Sequence, residues 1–122
     1  MNDFNGVIIL NKPRGSSSHR MVSIARRALD MKKIGHTGTL DPGATGVLPI
    51  LVGTATRASD LLTAQDKRYR ATVLLGTVTD TLDTDGKVIA ENPVNAAEAD
   101  IRRSVSAFVG NIEQLPPMFS AV

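Results

Sequence analysis

Cysteine is absent from the 122 residues, histidine occurs twice, and no wholly apolar run exceeds that from Val7 to Leu10. The missing thiols exclude a disulfide framework, a thiolate nucleophile and a zinc site built on sulfur, and they suit a reducing, cytoplasmic compartment. With only His19 and His36, a metal site would have to rest mostly on carboxylates. No spacing proposes one, so no metal is expected. A bilayer-spanning helix needs about 20 apolar residues, and no charged-then-apolar segment opens the chain. Neither membrane insertion nor secretion is expected.

Hydrophobic residues make up 42% and charged residues 21%, the balance of a folded globular chain and not of a disordered one. A chain of this length supports one domain that buries about two thirds of its unfolded surface. The net charge of +2 conceals an asymmetry. Residues 1–70 hold eleven Lys and Arg against five Asp and Glu, whereas residues 71–122 hold three against seven. A basic half is what a phosphate-rich partner selects electrostatically, although solubility alone accounts for many surface cations.

Gly6 to Asn11 is an apolar, β-branched run that ends at Lys12-Pro13-Arg14-Gly15, which predicts a buried strand and then a turn. Ser16, Ser17 and Ser18 offer N-cap oxygens to a helix whose Met21, Val22, Ala25, Ala28 and Leu29 recur at helical spacing, with Arg20, Arg26 and Arg27 mostly elsewhere. Gly35 to Gly46 has four glycines and a proline and reads as a loop. Val47 to Val52 resumes a strand, and Thr54 to Leu62 fits a short helix with Ala55, Ala58, Leu61 and Leu62 inward. Tyr69 to Val78 reads as a long strand, and Lys87 to Glu91 as its hairpin partner across a Thr79–Gly86 turn. A last helix is expected over Ala96 to Phe108, with Ala97, Ile101, Val105 and Phe108 inward and Gly110 as its C-terminal cap. The pattern lacks regular βαβ alternation, so the fold class is α+β: a mixed, largely antiparallel sheet with flanking helices.

Within the glycine-rich segment, Asp41 precedes Pro42, and a residue before proline is held extended. A carboxylate on a stiffened loop suits catalysis, although Asp-Pro often merely starts a turn. Neither phosphate-cradling glycine motif is present. His36 could be a ligand, a base or an intercalating ring, or simply an exposed polar residue. Asp80, Asp83 and Asp85 before Gly86 have the look of a calcium loop, but positions one and twelve are then Thr81 and Asn92, where carboxylates are needed. A hairpin turn explains them better. Lys67-Arg68-Tyr69-Arg70 places the only tyrosine between cations, an arrangement that stacks a base while the cations meet phosphates.

Taken together, Gly6–Pro13, Gly35–Pro49, Lys67–Arg70 and Gln114–Ala121 resemble, in order, the motifs of the TruB family of tRNA pseudouridine synthases. The resemblance implies a pseudouridine synthase fold and isomerisation of the T-loop uridine of tRNA, position 55, to pseudouridine. The base is flipped from its stack, detached from ribose, turned and rejoined through carbon 5, with no cofactor. Asp41 matches the family's essential aspartate, as nucleophile or as base. His36 matches the histidine that takes the space the base vacates, and Tyr69 the aromatic that packs on the flipped ring, with Lys67 and Arg68 beside it on the RNA. Lys12 and Pro13 match a motif that supports the catalytic loop, whose frame is Gly35, Gly38, Leu40, Pro42 and Gly46.

The resemblance also implies that residues 1–122 are the N-terminal part of the catalytic domain. The later strands are then missing, and with them the basic partner of the aspartate, an apolar residue beneath the base and any C-terminal RNA-binding domain. Alone, such a chain is expected to expose sheet edges, to self-associate and to turn over poorly. The rival reading is an RNA-binding or tRNA-folding module without catalysis, and dependence on Asp41 separates the two.

Overall fold

The computed structural model describes residues 3–115, which fall into two units, one ending at Tyr69 and the other starting at Arg70. Residues 116–122, and with them most of the closing apolar motif, lie outside the described residues.

The first unit is built on a three-stranded sheet. Strands β1 (Gly6–Lys12), β2 (Ile34–His36) and β3 (Gly46–Val52) lie in the order β1-β3-β2, both pairs antiparallel. Alternation along β3 sends Leu48, Ile50 and Val52 to one face, where they are buried with Met21, Val22, Met31 and Ile34. Helix α1 (Ser18–Leu29) supplies Met21 and Val22 and packs Ala25 and Leu29 against the same cluster. The helix begins where the Ser17 hydroxyl accepts the Arg20 N–H at 3.1 Å. It ends at Asp30, whose left-handed backbone lets Met31 N–H reach the Arg26 carbonyl at 3.1 Å.

Central strand β3 tolerates Pro49 for a geometric reason. Its carbonyl accepts from Thr37 N–H at 3.2 Å, one residue past the end of β2. The ring nitrogen faces that same flank, past the end of β2, so the missing donor removes no bond of the β1–β3 ladder, in which Pro49 lies opposite Ile9.

Four expectations for this unit are corrected. Strand β1 is not buried: Val7, Ile8 and Ile9 are exposed, because it is the edge of the sheet and α1 covers only one face. The loop is shorter than the glycines suggest, since Ile34–His36 pairs with β3. The helix expected at Thr54–Leu62 is a 3-10 turn, Gly53–Ala58, running into α2 (Ser59–Thr63). Ala28 of α1 and Leu61 of α2 face solvent, not the core.

The second unit holds a hairpin, β4 (Thr77–Thr79) with β5 (Val88–Glu91), and helix α3 (Glu98–Ser106). The long strand expected from Tyr69 is reduced to β4. A strand needs a ladder partner, and among the described residues none pairs with 69–74. Helix α3 is shorter than expected and buries no residue: Ile101 is half-buried, while Ala97, Val105 and Phe108 are exposed. Gly110 lies past the helix end and does not cap it. Antiparallel sheets with three helices make an α+β architecture. No helix among the described residues is long and apolar enough to cross a membrane.

Candidate active site

The register pairs Lys12 with Gly46 and leaves His36 opposite Ile50. The end of β1 therefore lies beside the loop, residues 37–45, that joins β2 to β3. Thr37 is buried at the loop's entry. Gly38 and Gly46 have φ of +112° and +123°, a region that only glycine enters readily, so the loop bends sharply at both ends.

Between these bends, two tethers flank Asp41. On one side Leu40 packs against the core, its N–H donates to the Ser18 hydroxyl at 2.9 Å, and that hydroxyl donates back to the Leu40 carbonyl at 3.3 Å. On the other side the Pro42 carbonyl accepts from Gly15 N–H at 2.7 Å and from Lys12 Nζ at 3.5 Å. A further bond, Ala44 N–H to the Asp41 carbonyl at 3.0 Å, closes a turn on the exposed side. The Asp41 residue itself is exposed. The backbone is fixed on both sides of an aspartate that solvent can reach, an arrangement that suits a preorganised nucleophile or base.

Lys12 is fully buried, and its ammonium donates to the carbonyls of Ser16 at 2.6 Å and Pro13 at 3.1 Å besides Pro42. Oriented carbonyl dipoles thus compensate a charge that would otherwise be costly to bury. Pro13 is exposed in the turn these bonds close. Gly35 sits in β2 opposite Leu51. His36 is half-buried, and its Nδ1 is shielded from solvent with no hydrogen bond to any described residue. An unmet polar atom of that kind costs about 1–3 kcal/mol.

The Lys67 chain passes close to the loop, its Cε 3.9 Å from where a Cβ on Gly38 would stand. Its ammonium donates to the carbonyls of Thr63 at 2.6 Å and Gln65 at 3.2 Å, capping the C-terminal end of α2. Arg68 and Tyr69 are exposed, the tyrosine to 65%, so its ring offers a face for stacking.

Ser18 was foreseen only as one of three capping candidates. Its place in the stripe 18, 21, 22, 25, 29 was the available signal, because a hydroxyl on the buried face of a helix must find partners. The acidic Thr79–Gly86 turn lies in the second unit. There Asp83 is held below the usual carboxylate range by the Thr81 hydroxyl and then by the Asp85 amide. Among the described residues no group of three or more His, Asp or Glu could hold a metal ion. A depression of about 440 Å³ in that unit, between Leu75–Val78 and Asn92–Ala96, contains none of the residues of the Asp41 loop.

The family described as TruB family pseudouridylate synthase (N terminal domain) matches residues 26–122. A protein named tRNA pseudouridine synthase B from Alkaliphilus oremlandii is 48% identical over 118 residues, covering 97% of this chain and 40% of that protein. Its namesake from Aromatoleum aromaticum is 51% identical over 118 residues, covering 97% of this chain and 38% of its own length. Among solved structures, a chain of a Cbf5-Nop10-Gar1 complex superposes with a TM-score of 0.64 at 31% identity, over 96% of this chain and 30% of that one. The chain thus spans about 40% of the length of relatives such as that from Alkaliphilus.

Proposed function

This chain belongs to the TruB family of pseudouridylate synthases, and from that premise we propose that it carries the catalytic aspartate of a tRNA pseudouridine synthase acting on the T-loop uridine. The observation that carries the reading is the Asp41 loop, tied down at Leu40 and at Pro42 with the aspartate exposed between them. In the reaction the bond from ribose C1′ to uracil N1 breaks, the base turns, and C1′ bonds to C5. The C5 proton is lost and N1 ends protonated, so no oxidant or cofactor is required. Asp41 is the only ionisable residue between Thr37 and Gly46, and as nucleophile or as base it is indispensable.

A uridine reached in this way must leave its stack. The exposed Tyr69 offers the stacking surface, Arg68 and Lys67 the cations, and the half-buried His36 a ring for the vacated space. The coverage of the relatives supports reading residues 1–122 as the N-terminal part of a longer catalytic domain. The exposed Val7, Ile9 and Val47 on the sheet face away from α1 support self-association of this chain alone.

The test is tritium release from a T-arm stem-loop labelled at uridine C5. The assay uses this chain, the chain extended at its C-terminus by the corresponding remainder of the Alkaliphilus relative, and Asp41→Asn in each. Release by the extended chain that vanishes in Asp41→Asn supports the reading. Release that survives the substitution overturns the role given to Asp41, and RNA binding without any release overturns the reading in favour of a binding module.

A further inference from the structure

We infer that Ser18 is a positioning residue for the Asp41 carboxylate, a role that rests on the catalytic reading of Asp41 given above. Ser18 is 2% exposed and stands in the first turn of α1, yet it does not cap the helix, since Ser17 does. Its hydroxyl bridges the two peptide groups on either side of the Leu40 Cα, accepting from Leu40 N–H at 2.9 Å and donating to the Leu40 carbonyl at 3.3 Å, across 22 residues of sequence. The Leu40 carbonyl belongs to the peptide that joins Leu40 to Asp41, so the hydroxyl sets the orientation of the peptide from which the aspartate departs. The Leu40 side chain packs on the core that α1 also lines. Helix, core and loop are thereby locked at one point, one residue from the carboxylate. The Pro42 side has two donors, from Gly15 and Lys12, whereas among the described residues the Leu40 peptide is held by one hydroxyl. Loss of Ser18 therefore removes both hydrogen bonds on that flank and leaves only the packing of the Leu40 side chain.

The test is Ser18→Ala in the extended chain, read by single-turnover tritium release, RNA affinity and amide hydrogen exchange at Leu40. The expected result is a turnover rate lower by about 10- to 100-fold, the scale of a misplacement near 1 Å, with RNA affinity within twofold and faster exchange at Leu40. Ser18→Thr, which keeps the hydroxyl, should recover most of the rate. If Ser18→Ala fails to fold, Ser18→Cys, with similar volume and weaker bonds, is read in the same way. Full turnover in the Ala or Cys variant, or equal losses of rate and RNA affinity, overturns the positioning role. In that case the parent enzyme still releases tritium and Asp41→Asn still does not, so the catalytic reading stands. If Asp41→Asn retains turnover, both readings fall.

Discussion

Two turns of this molecule present aspartates to solvent, and they are held in opposite ways. The bonds on either side of Asp41 come from far along the chain, from Gly15 and Ser18. The Thr79–Gly86 turn is held from within: Thr81 Oγ1 donates to Asp83 at 2.6 Å, Asp85 N–H donates to the same carboxylate at 2.9 Å, and Lys87 N–H donates to Asp80 at 2.8 Å. A turn built from neighbours uses up its carboxylates to make its own shape. A loop tied by remote backbone leaves its carboxylate available, and the Asp41 loop is of that kind.

The largest effect that sharpens this contrast is on turnover. In the extended chain, Asp41→Asn should lower single-turnover tritium release by on the order of 10³-fold, with little change in RNA affinity by filter binding. Asp83→Asn should leave the rate within twofold. Equal effects of the two substitutions would erase the distinction.

Next in size is the difference between the helices. Helix α1 lies against a core in which Leu48 is 1% exposed, whereas α3 buries nothing. Leu48→Ala should therefore cost about 3 kcal/mol by denaturant unfolding, and Phe108→Ala, at a residue 72% exposed, should stay within about 0.5 kcal/mol. A comparable loss from Phe108→Ala would show that the segment following α3 is packed in solution. The helix starts differ on a smaller scale. Ser17→Ala, which deletes the cap of α1, should cost about 1 kcal/mol, and Ala97→Ser, which supplies a cap hydroxyl to α3, should stabilise by about 0.5 kcal/mol.

The smallest effect is the acid titration of the hairpin turn. The depressed Asp83 carboxyl means that the folded turn binds its proton less readily than the unfolded chain. Its contribution is present above the ordinary pKa of 3.8 and lost as the pH falls through the lower folded value. The Asp85 amide resonance should titrate with a midpoint below 3.8 and cease to do so in Asp83→Asn. A midpoint at or above that value would remove the Thr81 and Asp85 bonds as its cause.

The extent to which these features could be read in advance follows the range of the forces involved. Helix α1, strand β3 and the hairpin were legible because period and turn chemistry act between near neighbours: Met21, Val22 and Ala25 mark a helical stripe, and Asp85-Gly86 marks a turn. The Tyr69–Val78 strand was misjudged because β propensity reports fitness for a sheet and not the presence of a partner. The burial of β1 was misjudged for a related reason, since its apolar residues say nothing of which face α1 covers. Asp41 was legible from the motif around it. The tether at Ser18 was not, because nothing in a run of three serines says which one will meet Leu40.

By itself, then, the sequence determined the local grammar of this chain: where α1 starts, that a glycine-rich loop leads into β3, and that a carboxylate stands beside Pro42 in that loop. Only the tertiary structure decided that Lys12 is buried against the Ser16 and Pro42 carbonyls, that Ser18 grips Leu40, and that Asp41 stays exposed between two fixed peptides. The Lys12–Pro42 and Ser18–Leu40 contacts join residues 30 and 22 positions apart. Their existence depends on the β1–β3 register bringing Lys12 to Gly46, and register is set by the burial of a whole sheet face, not by any one of the residues it aligns.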